Sequence, residues 1–386
     1  MLESSEELSE EVLREDKILL EIGHGLIHLV GEDGPLRERI TALRRSIARD
    51  TGMPVTAVRI RDNAELQAHD YRVLFLGAVA AAARLPGGKF AVLNPENRPG
   101  APAGPEYTEP AYGMTGVLVE VDEGSDAVRE LEAQGFLVLD DAVILATHLD
   151  ALIRSHAPEL LGRAEAVRLL KATRGKFPGL VNEFLKAWQA GELRTVLALM
   201  LEEGLSIGYM PIVLEVFAEN ARAREAHDEF KPEEIYAAIR GRLKNVLCAN
   251  IIEADHMSVF ATNEAPSADE AAREALRMSM RGCIEQAAGR DIFPVVLTPG
   301  AIRLEVFRAL AAGIDPSLFK VLCRGDIPYG VEIDIIGRLS PADAPDRDVP
   351  GNDSSESAAG RTYEEGRREG FLAGLKQGLA LKNRLK

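Results

Sequence analysis

The chain has 386 residues, 46% of them hydrophobic, so it is long enough to fold into several domains with buried cores. Its formal net charge of −16 argues against nucleic acid or an anionic membrane surface as the main partner. Three widely spaced cysteines (Cys248, Cys283 and Cys323) with no C-x-x-C pair are typical of a reduced cytosolic protein with buried thiols.

The sequence predicts neither a membrane-spanning helix nor a signal peptide. The longest apolar run, residues 73–83, contains Gly77 and is far shorter than the ~18 residues that a membrane helix needs. Residues 1–16 are strongly acidic, whereas a signal peptide begins with basic residues. We therefore expect a soluble chain with a mobile acidic leader at residues 1–16.

The first part of the chain has the pattern of an α/β unit. After the turn G-E-D-G-P, apolar side chains recur at helical spacing up to Gly52 and Pro54; they are Leu36, Ile40, Leu43 and Ile47. Extended segments are predicted on both sides of this helix, at residues 18–22, 26–30, 57–61 and 71–76. Together they predict a first subdomain that begins at residue 17 and runs to residue 85.

Residues 86–135 are dense in proline and glycine and predict a small β-rich subdomain inserted into the first one. Short strands are expected at residues 90–93 and 117–121. Residues 136–139 are expected to return to the first subdomain, which then ends with a helix capped by Asp140 or Asp141. The first subdomain thus comprises residues 17–85 plus 136–157.

The remainder divides by pattern into a helical part and a second α/β part. Residues 158–245 consist of apolar helical stripes separated by glycine or proline, which favours a helical bundle. In residues 246–340 strands are expected at Ile251 and Val259 and in 293–297, 319–322 and 331–336, with helices over 268–288 and after Pro299. The sequence as a whole therefore predicts an α+β multidomain fold.

The last residues form a linker and a tail. Residues 341–360 are rich in proline, aspartate and serine and are expected to be disordered. In residues 361–386 glycine recurs every fourth position, at Gly366, Gly370, Gly374 and Gly378. Such spacing suits a helix that packs closely against another helix, because glycine lets the two backbones approach.

Catalytic motifs are scarce. The sequence lacks a Walker A loop, an H-E-x-x-H pair and a G-x-G-x-x-G turn. G-L-S-I-G at residues 204–208 matches a nucleophile motif, but a leucine-rich helical run precedes it where a strand is required. We expect Gly204 to end that helix and Ser206 to cap the next one, and we predict neither an enzyme nor a bound cofactor or metal.

The segment E-P-A-Y-G at residues 109–113 suits a binding surface. Pro110 holds Glu109 in an extended conformation and Gly113 permits a turn, so the loop would present Tyr112 and a carboxylate rigidly. The alternative is that Tyr112 packs in the subdomain core. Thr147 and His148 fall on a predicted helix, where the alternative is that they are ordinary residues at a subdomain junction.

Four motifs in fixed order carry a family resemblance. They are L-E-I-G-H-G-L-I (residues 20–27), V-R-I-R-D-N (58–63), E-P-A-Y-G (109–113) and A-T-H-L (146–149). The chain resembles, over about residues 16–339, the cytoplasmic part of the flagellar and type III secretion export-gate family, the FHIPEP family. The sequence lacks the membrane half of that family, and Gly208 stands where the family pattern has arginine.

The resemblance implies a non-enzymatic docking platform of a protein-export apparatus, in the cytoplasm or at the cytoplasmic face of the inner membrane if joined to a membrane domain. It implies four subdomains, a homo-oligomeric ring, and a hydrophobic dimple between the first two subdomains that receives chaperone–substrate complexes. The dimple residues would be Glu109, Tyr112 and Thr147. The alternative is a soluble standalone paralogue that regulates or scaffolds export ATPase components, because the tail resembles part of the regulatory subunit of that ATPase.

Overall fold

The structure is a computed structural model that describes residues 16–31, 34–95, 98–121, 125–221 and 230–340. The described residues fall into two compact units, one reaching Glu165 and one beginning at Ala166. The fold is mixed α+β, as predicted. Most of the leader, the linker (341–360) and the glycine-repeat tail (361–386) lie outside the described residues.

A four-stranded sheet forms the centre of the first unit. Its strands are β1 (Ile18–Ile22), β2 (Val58–Asp62), β3 (Asp70–Phe75) and β4 (Ala78–Arg84), in the order β2-β1-β3-β4. Strand β1 is parallel to β2 and antiparallel to β3, which pairs antiparallel with β4. Helix α1 (Pro35–Thr51) buries the four predicted apolar side chains and ends at Gly52, whose φ of 75° suits glycine.

Two features of this sheet differ from the prediction. The expected extended segment at residues 26–30 is wrong, because His24–Leu29 form a 3₁₀ helix. The chain bends there after Gly23 and Gly25 donate backbone hydrogen bonds to Asp70 (2.8 Å) and Ala68 (2.9 Å). Strand β4 was not predicted, since its alanines give no alternation of apolar and polar side chains.

A second sheet, entirely antiparallel, follows in the same unit. It contains β5 (Phe90–Leu93), β6 (Glu106–Thr108), β7 (Thr115–Val119) and β8 (Leu137–Leu139), in the order β6-β7-β5-β8. Helix α2 (Asp126–Ala133) packs Val128 into its core. The expectation that residues 136–139 rejoin the first sheet is wrong, because β8 pairs with β5. The chain leaves this sheet directly into α3 (Asp141–Ser155), which Asp140 caps by accepting a hydrogen bond from Val143 N (2.7 Å).

The second unit begins with helices, as predicted for this part of the chain. A short helix, α4 (Ala157–Leu160), and α5 (Arg163–Arg174) lead into it. The following described helices are α6 (Pro178–Ala187), α7 (Ala190–Glu202), α8 (Met210–Glu219), α9 (Pro232–Arg242) and α10 (Lys244–Cys248). Trp188 packs between them, with its indole N–H donating to Phe217 O (2.8 Å).

The last described part is a parallel α/β arrangement. It comprises β9 (His256–Ala261), α11 (Glu270–Ala288), β10 (Val295–Leu297), α12 (Arg303–Ala311), β11 (Lys320–Leu322) and β12 (Glu332–Arg338). The strands pair in the order β11-β10-β9-β12, each parallel to its neighbour. The strand expected at Ile251 is not formed, and Pro299 lies in a turn before α12 rather than in its first turn.

A buried ionic network connects the helices of the second unit to its sheet. The Arg240 guanidinium donates to both carboxylate oxygens of Asp326 (3.1 and 2.9 Å) and to Glu203 (2.6 Å). Arg303 also donates to Glu203 (2.7 and 2.8 Å), and both guanidiniums lie 5.6 Å from the ring centre of Tyr236. All four charged side chains are at most 6% exposed, so two positive and two negative charges balance inside the unit.

Among the described residues, every helix is too short or too polar to span a lipid bilayer.

Candidate docking site

The loop between β6 and β7 carries two of the three predicted site residues, Glu109 and Tyr112. Its backbone closes through hydrogen bonds from Glu109 N to Met114 O (2.9 Å) and from Gly113 N to Glu109 O (3.0 Å). Gly113 has a φ of 69°, which is easily adopted only by glycine. The predicted turn at Gly113 is therefore present.

Glu109 faces inward and organises this loop. Its carboxylate accepts the backbone N–H groups of Ala111 (2.8 Å), Tyr112 (2.8 Å) and Met114 (3.0 Å), and the residue is 2% exposed. We expected the loop to present this carboxylate to a partner, but the structure turns it toward the backbone. Three N–H donors to one ionised group give strong local order, and half-buried Tyr112 is held by that order.

Behind the loop lies a buried pair of rings that joins β3 to α3. The Tyr71 hydroxyl is 2.6 Å from His148 Nδ1, and both residues are buried. Burial, together with the charge of Glu109, raises the pKa of Tyr71 well above its usual value, and burial lowers the pKa of His148 to about 4. Because the phenol is protonated and the imidazole neutral at pH 7, we assign the hydroxyl as donor and Nδ1 as acceptor.

Tyr107, on β6, extends the same cluster toward the start of α3. Its pKa is raised by burial and by the negative charges of Asp141 and Glu109. The carboxylates of the loop and of the helix therefore act on one phenol. Tyr71, Tyr107 and Asp141 were not predicted as site residues, and alternation along β3 indicates only that Tyr71 is a core residue.

Asp141 fixes the beginning of α3 to the connection between the two sheets. Its buried carboxylate accepts hydrogen bonds from Gly87 N (3.2 Å) and Gly88 N (2.9 Å). Burial raises the pKa of Asp141, and the two backbone hydrogen bonds oppose that rise. A Cβ at Gly87 would lie 2.9 Å from the His69 ring, so this position favours glycine.

Thr147, the third predicted site residue, lies on α3 beside His148 and is half-buried. The structure thus places the three predicted residues on two elements that meet at Tyr71. Glu109 acts electrostatically on Tyr71, which bonds the residue next to Thr147. The loop and α3 are thus connected through the buried side chains of Glu109, Tyr71 and His148. Tyr112 and Thr147 are half-buried and remain partly accessible to solvent.

The two N-terminal motifs also come together, away from this cluster. Glu21 of L-E-I-G is 3% exposed and is bonded by Arg61 and, at 2.9 Å, by Asn63 of V-R-I-R-D-N. Arg72 on β3 approaches the same carboxylate at 2.7 Å. Asn63 also turns the chain by accepting Glu65 N (2.9 Å). These motif residues have structural roles in the first sheet.

Ser206 has the surroundings of a turn residue. It follows the end of α7, where Gly204 has a φ of 70°, and its hydroxyl accepts a hydrogen bond from Gly208 N (3.2 Å). A helix rather than a strand precedes it, as the sequence indicated. The strand-to-helix turn of a nucleophile elbow is therefore not formed at this position.

Comparison with known proteins gives a consistent set of relatives. The model of the FHIPEP family matches residues 2–328. The flagellar biosynthesis protein FlhA of Bacillus subtilis (strain 168) is 28% identical over 344 residues, covering 85% of this chain and 50% of that protein. The chain spans 32% of the length of the Escherichia coli (strain K12) FlhA protein and 50% of the Bacillus subtilis one.

Solved structures with the same fold belong to type III secretion proteins. The CdsV protein of Chlamydia pneumoniae, in its complex with CdsO, superposes with a TM-score of 0.67 at 19% identity, covering 84% of this chain and 98% of that one. The nonameric EscV cytosolic domain gives a TM-score of 0.60 at 12% identity, covering 84% and 97%. At these identities the likeness is one of fold.

Proposed function

The chain belongs to the FHIPEP family, and we propose that it acts in flagellar-type protein export as a docking platform for chaperone–substrate complexes. Its relatives among flagellar biosynthesis and type III secretion proteins support a role in protein export. The docking surface of this proposal consists of the loop carrying Glu109 and Tyr112 together with Thr147 on α3. No catalytic step is part of it.

The observation that carries the proposal is the construction of the Tyr112 loop. In this short loop between two strands, the buried carboxylate of Glu109 accepts hydrogen bonds from three backbone N–H groups of the loop itself. A simple turn does not need this many side-chain hydrogen bonds. Ordered aromatic side chains make strong anchors because few rotamers are lost when a partner binds. Tyr112 is half-buried, so part of its side chain remains in solvent, which suits such an anchor.

The experiment is a calorimetric titration of this chain with a purified late-substrate–chaperone complex from the same cell. Tyr112→Ala is expected to weaken binding by at least about 30-fold, as loss of a hot-spot residue does. Tyr329→Ala is the matched control, because Tyr329 is 99% exposed and lies in the second unit. Equal affinity of Tyr112→Ala and the unmutated chain would refute this site.

The same proposal includes assembly into a ring, since the EscV relative is nonameric. Sedimentation velocity over a range of protein concentrations tests this, and a purely monomeric chain at high concentration would contradict it. Ring formation would raise the local concentration of docking sites and so increase avidity.

A second candidate is a standalone paralogue that binds export ATPase components through its tail. The glycine at every fourth position from Gly366 to Gly378 favours it, because that spacing suits close helix pairing. Deletion of residues 361–386 should then abolish binding to those components and leave the affinity for chaperone–substrate complexes unchanged. An unchanged set of bound proteins after the deletion would contradict it.

A further inference from the structure

Two loops lie side by side at the carboxyl end of the parallel sheet in the second unit. The first begins at Thr298 and connects β10 to α12, and the second begins at Cys323 and follows β11. Strands β10 and β11 are parallel neighbours, and Thr298 N extends their ladder by donating to Leu322 O (3.0 Å). A Cβ at Gly300 would lie only 3.7 Å from Cys323 Sγ, so the loops are in contact. We call residues 298–301 and 323–325 the loop pair.

The hydroxyl of Thr298 is buried and unpaired. The residue is 4% exposed, and its Oγ1 has no hydrogen-bond partner among the described residues. Two residues earlier, Val296 packs in one core with Val306 and Phe307 of α12. Alternate residues of a strand share a face, so the Thr298 side chain points to the side on which α12 begins. Buried hydroxyls are hydrogen-bonded in the great majority of cases, so this one indicates a partner outside the chain.

The segment that enters α12 presents free backbone donors next to this hydroxyl. Ile302 N donates to Pro299 O (3.2 Å), Arg303 N donates to Gly300 O (3.4 Å), and no side chain caps the helix. The N–H groups of Gly300 and Ala301 have no acceptor in the part of the chain that the structure describes, and both residues are exposed. Free N–H groups at a helix start, together with the helix dipole, favour binding of an anion.

A guanidinium lies in the second loop. Arg324 is exposed and has no carboxylate partner among residues 230–340 or elsewhere in the described ranges. The nearby carboxylates of Asp326 and Glu203 already pair with Arg240 (2.9 and 2.6 Å). Glu305, in the first turn of α12, is exposed, so solvent and salt screen its charge. The guanidinium of Arg324 is therefore available to an anion at the loop pair.

We propose that the loop pair binds the phosphate group of a small molecule. The Thr298 hydroxyl and the N–H groups of Gly300 and Ala301 donate hydrogen bonds to the phosphate oxygens, and Arg324 balances part of the charge. Several acceptor oxygens in a tetrahedral arrangement suit donors that come from two loops and a helix start. The source of the group is either free inorganic phosphate or a nucleotide. All these residues belong to the second unit, so the inference is independent of the proposed docking function.

Calorimetric titration of the full chain at constant ionic strength tests the proposal, with sodium phosphate in one series and ADP in another. Thr298→Val keeps the shape of the side chain and removes the hydroxyl, so it should weaken binding about tenfold or more. Arg324→Gln should weaken it by a similar factor. Thr262→Val is the matched control and should bind as the unmutated chain does. Thr262 is buried in the equivalent position after β9, but its hydroxyl already accepts a hydrogen bond from Glu264 N (3.4 Å).

Thermal unfolding adds a readout that a purely structural role of Thr298 would not change. A bound anion stabilises the folded chain by mass action, so the melting temperature should rise with phosphate concentration. Thr298→Val should need about tenfold more phosphate for the same rise, and without phosphate it should be at least as stable as the unmutated chain. Whichever probe binds more tightly identifies the source of the group.

Two results would overturn the proposal. One is the absence of both heat and a rise in melting temperature with either probe at millimolar concentration. The other is equal affinity of Thr298→Val and the unmutated chain, because the anion would then bind elsewhere.

Discussion

Replacing Arg240 by methionine should destabilise the second unit strongly. In the unmutated protein Arg240 donates hydrogen bonds to Asp326, Glu203, the Tyr236 hydroxyl (3.3 Å) and Val321 O (3.1 Å). Methionine fills a similar volume but leaves two buried carboxylates facing a single guanidinium, that of Arg303. Removing one member of a buried ion pair costs about 3–5 kcal/mol, because the remaining charge stays desolvated.

Urea unfolding followed by tryptophan fluorescence measures this loss. Trp188 is the only tryptophan of the chain and is buried in the second unit, so its emission reports on that unit. At a denaturant dependence of about 2 kcal/mol per molar urea, the midpoint should fall by about 1.5–2.5 M. Arg242→Met is the control, because Arg242 pairs with Glu219 where both side chains are about half exposed (48% and 56%). That variant should lose no more than about 1 kcal/mol.

At acidic pH the unmutated protein and the Arg240→Met variant should differ less in their free energy of unfolding. Burial alone would raise the pKa of Asp326, but hydrogen bonds and charge from Arg240 outweigh it, so the pKa lies below its usual value. The stabilisation is therefore complete above the unfolded pKa of about 4 and is lost as the pH falls through the folded one. Arg240→Met/Asp326→Asn, which removes both charges, should recover part of the loss. Similar losses in Arg240→Met and Arg242→Met would refute the reasoning.

Further predictions concern the first unit and one helix of the second. Gly23→Ala should lower the free energy of unfolding by about 1–3 kcal/mol, because the added Cβ would overlap Gln67 O. Gly282→Ala, in α11 with open space around it, should raise the free energy of unfolding by about 0.5–1 kcal/mol. Equal thermal stabilities of the two variants would contradict this. For His148, the folded pKa of about 4 lies below the unfolded value, so stability is complete above about pH 6.5 and falls by up to about 3 kcal/mol toward pH 4. His148→Gln should flatten this dependence in unfolding curves at pH 7.5 and 5, and an unchanged slope would show that other groups cause it.

The sequence predicts those elements whose side-chain pattern reflects local structure. Helix α1 is an example, because its four apolar residues face one core and a glycine ends it. Strand β4 gives no such signal, since alanine is compatible with helix and strand alike. The pairing of β8 with β5 depends on contacts between distant segments, and no local pattern in residues 136–139 distinguishes one sheet from the other.

The candidate site shows the same division. The stiffness of the Tyr112 loop was predictable from Pro110 and Gly113, which restrict the backbone directly. The direction of Glu109 was not, because a glutamate in a surface loop ordinarily faces water, and three backbone donors appear only once the loop closes. Tyr71 and His148 are far apart in sequence, so their hydrogen bond depends on the tertiary fold.

The carboxylate of Asp141 holds the two chain connections of the second sheet together, so this sheet could be exchanged as one segment. The chain enters that sheet past Gly87 and Gly88 and leaves it at Asp141, so both connections meet at one carboxylate. A segment grafted between these points from a related protein has its ends already brought together. Exchange of residues 89–139 should therefore be tolerated wherever the recipient keeps this aspartate and both glycines.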